Sequence, residues 1–184
     1  ALPIYLLAEA EAARAAGRLD GGDDAALPRY ARILALQPRH RQALEGRDDA
    51  LSTLLQQART ALARGDLVAG AALVEAAAGY DAGHSDLPDA RAALSQAIER
   101  MRRRADADLR AGRLARAADG YRVLRESGVA GDAGEAGLRG VAAVHAARAT
   151  RAAHDFAFEQ ARAELATAKA LAADAPEVRQ ADAE

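Results

Sequence analysis

A short turn motif recurs along the chain and limits its possible folds more than any other feature. Gly followed two residues later by Leu occurs at Gly17, Gly65 and Gly112, and Asp155-Phe156-Ala157-Phe158 is a fourth variant. The hydrophobic residues of the four turns are 48, 47 and 44 residues apart. A near-constant period of this length is typical of stacked supersecondary units. Apolar residues at helical spacing on both sides of each turn therefore predict four helical hairpins.

Helical periodicity and helix-ending residues predict the extent of each helix. We expect helices at about 2–16, 25–36, 41–64, 67–78, 87–111, 114–127 and 158–172, one with a weak start that continues to 155, and another that begins at 176. Asp23 or Asp24 is expected to cap the second helix, because Asp is favoured at helix N-termini. The third helix can bend at Gly46.

Glycine recurs at every third position from Gly128 to Gly140, at the start of the helix that Val141, Val144 and Ala149 continue to Asp155. Each Gly inside a helix costs about 1 kcal/mol relative to Ala. This segment is therefore predicted either to fray or to be kept helical by strong packing against neighbouring elements.

Aligning the turns brings residues of similar size into columns. The columns hold Tyr30, Val74, Tyr121 and Leu165; Ile33, Ala77, Leu124 and Ala168; and Ala10, Ala58, Ala105 and Ala149. They resemble the tetratricopeptide repeat, although its units are about 34 residues long. The long helices at 41–64 and 87–111 account for the longer period. Armadillo-like or HEAT-like stacks have the right period but lack the Gly-x-Leu turn, and they are the second choice.

The resemblance implies an all-α fold: a right-handed solenoid of about four helix-turn-helix repeats with long connecting helices. The 184 residues fit a single domain. The repeats fall at about 2–40, 41–84, 85–130 and 131–174, and 175–184 begins a truncated capping helix. Hydrophobic residues make up 51% of the chain but aromatic residues only 3%, so small side chains allow close helix packing.

A narrower resemblance is carried by the Ala16-Gly17-Arg18-Leu19 turn and by the segment at 29–38. Both are similar to repeats in the extracytoplasmic part of proteobacterial membrane-anchored serine/threonine kinase-like proteins. This resemblance implies a periplasmic sensory or docking module, with the kinase outside this sequence, and it leaves a cytoplasmic setting open. The first residue is Ala1, so we expect a processed chain or a fragment of a larger protein.

Composition excludes several kinds of site and partner. Charged residues nearly balance, with 25 Lys and Arg against 27 Asp and Glu, so nucleic acid is not an expected partner. The absence of Cys removes thiolate zinc sites, and no apolar run approaches the roughly 18 residues of a membrane span. The Asp20–Asp24 loop lacks the calcium-loop pattern, and His145 and His154 lack metal-ligand spacing. We therefore predict no metal, no cofactor and no membrane insertion.

The one dense basic run in the sequence is Arg100 with 102–104. On a helix these side chains spread around most of the circumference instead of forming one stripe. We expect them to pair with Glu99, Asp106 and Asp108 at helical neighbour spacing.

The predicted function is a protein-interaction scaffold, not an enzyme. In the tetratricopeptide family the first helix of each repeat lines a concave groove that binds peptides, whereas the same residues on an ordinary helix would form a solvated face. The resemblance places these residues in the groove: Arg14, Leu55, Arg59, Leu62, Arg102, Asp106 and Arg110. The Lys and Asn pattern that binds acidic chaperone tails is absent. The sensory region of a kinase and a structural oligomerisation module, with the chain as a homo-oligomer, are the alternatives.

Overall fold

The computed structural model describes residues 2–183, and the side chains of residues 5–183. Nine helices lie within that range, which confirms the all-α prediction. They are α1 (Leu2–Ala15), α2 (Ala26–Leu36), α3 (Arg41–Ala63), α4 (Leu67–Tyr80), α5 (Leu87–Arg110), α6 (Leu114–Glu126), α7 (Gly131–His154), α8 (Phe158–Ala172) and α9 (Pro176–Ala183).

The chain forms two compact units, and the boundary between them falls within α5, after Ala97. In the first unit α1 packs on α2, α2 on α3 and α3 on α4. In the second unit α6 packs on α7, α7 on α8 and α8 on α9. Helices that are neighbours in sequence are therefore neighbours in space within each unit.

Helices α1, α3, α5 and α7 end in the same hydrogen-bonded turn, which we call the capping turn. One residue in each has a positive φ: Gly17 (74°), Gly65 (88°), Gly112 (71°) and Phe156 (58°). The amide that follows donates to the carbonyl five residues back. These bonds are Arg18 to Ala13, Asp66 to Ala61 and Arg113 to Asp108 at 2.9 Å, and Ala157 to Ala152 at 2.8 Å. The turn satisfies carbonyl groups that a helix end leaves unpaired.

The fourth capping turn differs from the others in both of its characteristic residues. Phe156 occupies the positive-φ position and is 80% exposed, while Phe158 is 55% exposed. The corresponding leucines of the other turns, Leu19, Leu67 and Leu114, are all buried. The two phenylalanine rings pack edge to face with centroids 6.2 Å apart. This turn therefore carries backbone strain and an exposed aromatic pair.

We expect Phe156→Gly to unfold at a higher denaturant concentration than Phe156→Ala. Both substitutions remove the ring, but only Gly adopts the left-handed conformation without steric cost, which for other residues is about 1–2 kcal/mol. Urea unfolding of the two variants measures the difference directly. Equal stability of the two variants would show that residue 156 does not hold a positive φ in solution.

The start of α2 differs from its prediction. Its N-cap is Ala25, which makes no side-chain capping bond, so the expectation that Asp23 or Asp24 caps the helix is wrong. Instead the first two amides of α2, at Ala26 and Leu27, donate to the carbonyls of Arg18 and Leu19 at 2.9 Å. The capping turn itself therefore satisfies the helix start, and a side-chain cap is not needed.

The glycine-rich segment is helical from Gly131. Of the two predicted outcomes, fraying or stabilisation by strong packing against neighbouring elements, the structure shows the second. A Cβ on Gly134 would lie 2.6 Å from the Tyr121 carbonyl oxygen and 2.8 Å from Arg125 Cα. A Cβ on Gly137 would enter the Tyr121 ring. The missing side chains thus let α6 and α7 approach closely, and their packing offsets the low helix propensity of Gly.

Candidate binding surface

The residues predicted to line a groove in the first unit divide into two groups. Arg14 donates to Asp49 at 3.1 Å, and Arg59 donates to Gln56 at 2.9 Å. Leu55 and Leu62, in contrast, are 0% and 2% exposed. Leu62 packs where a Gly70 side chain would be, since a Cβ there would lie 2.5 Å from Leu62 Cγ. These two leucines belong to the core, because their face of α3 is covered, and they cannot contact a partner.

The three groove residues predicted on α5 lie in the second unit. Arg102 donates to Glu99 at 3.0 Å, and Arg110 is exposed in the last turn of the helix. Asp106 accepts a hydrogen bond of 2.6 Å from the Tyr121 hydroxyl. Burial of Tyr121 and this hydrogen bond both raise the pKa of its hydroxyl. Asp106 therefore ties α5 to α6.

The basic run on α5 is only partly neutralised. Arg102 and Arg103 pair with Glu99 at 3.0 and 3.7 Å, as expected. Asp108 pairs instead with Arg113, at 2.6 Å. Arg104 is left exposed and forms no ion pair or hydrogen bond with the described residues.

A pocket of about 500 Å³ lies between α5 and α6, wholly within the second unit. We call it the α5–α6 pocket. Each helix contributes residues at positions i, i+3, i+4 and i+7, which place them on one face. The lining residues are Met101, Arg104, Ala105 and Asp108 from α5, and Arg116, Asp119, Gly120 and Val123 from α6.

The two helices come close together at Gly120. A Cβ on this residue would lie 3.0 Å from Ala105 Cβ and 3.8 Å from Met101 Sδ. Val123 and Met101 are half-buried, so they leave part of their apolar surface accessible. The floor of the pocket is therefore apolar.

The charged residues of the pocket are of two kinds. Asp108 pairs with Arg113 at 2.6 Å, and Asp119 pairs with Arg122 at 2.8 Å. Arg104 and Arg116 are exposed, and neither has a hydrogen-bond or ion-pair partner within residues 2–183. Both carboxylates are thus neutralised by arginines, whereas two guanidinium groups are available to a ligand.

Sequence reasoning found the basic run but missed this pocket. The predicted groove residues Arg102, Asp106 and Arg110 follow a four-residue spacing on a different face of α5 from Arg104 and Asp108. The useful signal was the matching i, i+3, i+4, i+7 stripes on consecutive helices, each with one Arg, one Asp, one small residue and one larger apolar residue. The tetratricopeptide resemblance predicted binding residues on the face of α5 that carries Arg102, Asp106 and Arg110.

Other polar clusters of the described residues hold helices together. His145 Nδ1 lies 2.5 Å from Glu164 Oε2 and links α7 to α8, and both side chains are largely buried. His84 is 4% exposed and contacts the Asp48 carbonyl at 3.3 Å. Across residues 2–183 no three side chains of His, Asp or Glu come together as a metal site would require.

Comparison with family models, with curated proteins and with solved structures finds no match to this chain. None of the helices in the described range has the length and apolarity needed to cross a bilayer.

Proposed function

We propose that this chain is a protein-interaction scaffold, built as a right-handed solenoid of tetratricopeptide-like helical hairpins, and that the α5–α6 pocket binds a peptide segment of a partner. The recurring capping turn supports the repeat. So does the burial of the aligned columns. Tyr30, Val74 and Tyr121 of the first column are buried, while its fourth member, Leu165, is half-buried. In the other two columns Ile33, Ala77, Leu124 and Ala168 are each 0% exposed, and Ala10, Ala58, Ala105 and Ala149 are also buried.

The observation that carries the proposal is the combination of an open apolar floor with two unpaired arginines. A volume of about 500 Å³ is within the range of pockets that bind small ligands, and it can hold the side chains of a short peptide. Arginine is enriched at protein interfaces because its guanidinium group forms bidentate hydrogen bonds while its stem packs on apolar atoms.

We infer binding without catalysis from the same residues. The pocket presents arginines, ion-paired carboxylates and aliphatic groups, whereas acid–base or nucleophilic catalysis needs a base in contact with the group that it activates. The alternatives are an extracytoplasmic sensory region of a kinase, which the narrower resemblance implies for a longer protein, and a structural oligomerisation module.

Selection of random dodecapeptides displayed on phage tests the scaffold proposal. The wild-type chain and a Val123→Gln variant are screened in parallel, because Gln at this half-buried position fills the apolar floor without adding charge. Circular dichroism and urea unfolding establish that the variant is folded. We expect a shared peptide motif that enriches on the wild type and not on the variant.

Either of two outcomes would contradict the proposal. If no shared motif emerges, the chain is not a peptide-binding scaffold. If a motif enriches equally on both proteins, the α5–α6 pocket is not where the peptide binds.

A further inference from the structure

The unpaired charge of the α5–α6 pocket restricts the kind of peptide that it can hold. With Arg113 and Arg122 neutralising Asp108 and Asp119, the remaining charge comes from Arg104 and Arg116. Arg100, which is also exposed and has no partner within residues 2–183, lies one turn before Arg104 on the same face of α5. The pocket is therefore locally positive, although the whole chain has a net charge of -2.

The two arginines lie on opposite sides of the apolar floor. Arg104 comes from α5 and Arg116 from α6, while Ala105 and Gly120 are in contact between them. A ligand that contacts both arginines passes over Ala105 and Gly120, beside the apolar side chains of Met101 and Val123. Such a ligand needs two anionic groups that are separated by an apolar one.

We propose that the α5–α6 pocket selects an acidic peptide segment in which an aliphatic side chain enters the apolar floor and flanking carboxylates bind Arg104 and Arg116. This inference rests on the proposed scaffold function and specifies its ligand. Bidentate pairing between guanidinium and carboxylate groups supplies direction as well as energy. The ion pair of the largely buried Asp108 disfavours basic peptides, since these would have to displace Arg113.

Nucleic acid fits the pocket less well for two reasons. None of the lining residues is aromatic, and single-stranded nucleic acids are bound largely by stacking on aromatic side chains. The carboxylates of Asp108 and Asp119 would also face the phosphates. An aliphatic side chain, in contrast, matches a floor formed by Ala, Gly, Met and Val.

The test uses the peptide selected on the wild-type chain, labelled with a fluorophore, and its analogue with every Glu and Asp replaced by Gln and Asn. Binding of both peptides is measured by fluorescence anisotropy to the wild type and to an Arg104→Gln/Arg116→Gln variant. We expect neutralising the acids, or neutralising the arginines, to weaken binding about tenfold, which corresponds to about 1.4 kcal/mol. Together the two changes should weaken binding no more than either alone, because they remove the same contacts.

An Arg148→Gln/Arg151→Gln variant is the matched control. Both arginines lie exposed on α7 in the second unit, outside the pocket lining, and form no ion pair with the described residues. The net charge changes by the same amount, so a general electrostatic attraction would weaken equally in the two variants. We expect the control to bind within about twofold of the wild type. Added salt should weaken wild-type binding and have little effect on binding to Arg104→Gln/Arg116→Gln.

The outcomes separate this inference from the scaffold function. A selected motif that lacks acidic residues but still depends on Val123 would retain the scaffold and overturn the acidic ligand. The acidic ligand would also be overturned if the losses in affinity from neutralising the peptide and from neutralising Arg104 and Arg116 added together. Equal losses of affinity in the pocket variant and in the Arg148→Gln/Arg151→Gln control would overturn it as well. Displacement of the peptide from the pocket by a single-stranded oligonucleotide at lower concentration than unlabelled peptide would assign the pocket to nucleic acid instead.

Discussion

Leu55→Ala is expected to lower the free energy of unfolding by about 2–5 kcal/mol. Leu55 is 0% exposed in the middle of α3, so the substitution removes buried methyl and methylene groups and leaves a cavity. If Leu55 lined the predicted groove instead, the substitution would change partner binding and leave the free energy of unfolding nearly the same. Urea unfolding followed by circular dichroism distinguishes the two roles.

Leu36→Ala provides the matched control in the same unit. Leu36 is the last residue of α2 and is 62% exposed, so we expect a change of no more than about 0.5 kcal/mol. If Leu55→Ala unfolded at the same urea concentration as the control, Leu55 would not be in the core and its place on the binding face would be restored.

Gly134→Ala is expected to destabilise the second unit by about 2 kcal/mol. The new Cβ would overlap the backbone of Tyr121 and Arg125, which cannot rotate away, so α6 and α7 would have to separate. Overpacking of this kind costs about 3 kcal/mol, and the higher helix propensity of Ala returns about 1 kcal/mol. The unfolding free energy from urea denaturation measures the balance.

Gly79→Ala makes the same chemical change where the structure has room for it. Gly79 is exposed near the end of α4, and a Cβ there meets no atom within 4 Å. This variant should be more stable than the wild type by up to about 1 kcal/mol. Stabilisation by both substitutions would show that Gly134 does not set the distance between α6 and α7.

Local sequence determined the helices and their turns to a large degree. Helices α1, α3 and α5 end within one residue of their predicted ends because the Gly-x-Leu turn is a local structure: Gly supplies the positive φ and the next amide supplies the capping bond. The exception at α2 has a physical cause as well. Its first amides are satisfied by the backbone of a capping turn, which no rule for N-cap side chains takes into account.

The pairing of side chains across helices was harder to predict, because it depends on which face each helix buries. Leu55 and Leu62 have the spacing of an apolar stripe, and a stripe looks the same in a sequence whether it contacts a partner or the protein's own core. Asp108 has several arginines at helical spacing, yet it pairs with Arg113 of the capping turn, and Arg104 is left without a partner among the described residues. Which arginine Asp108 pairs with therefore depends on how the chain folds at the turn between α5 and α6, and not on spacing along α5 alone.

The capping turn also provides a means of measuring each hairpin separately. The amides of Arg18, Asp66, Arg113 and Ala157 all donate across the same turn with nearly identical lengths. Such an amide exchanges its proton with solvent only when the turn opens, so its exchange rate reports the local free energy of opening. Once each rate is corrected for the intrinsic exchange rate of its residue, four structurally equivalent reporters along one chain would show whether the hairpins open together or one at a time.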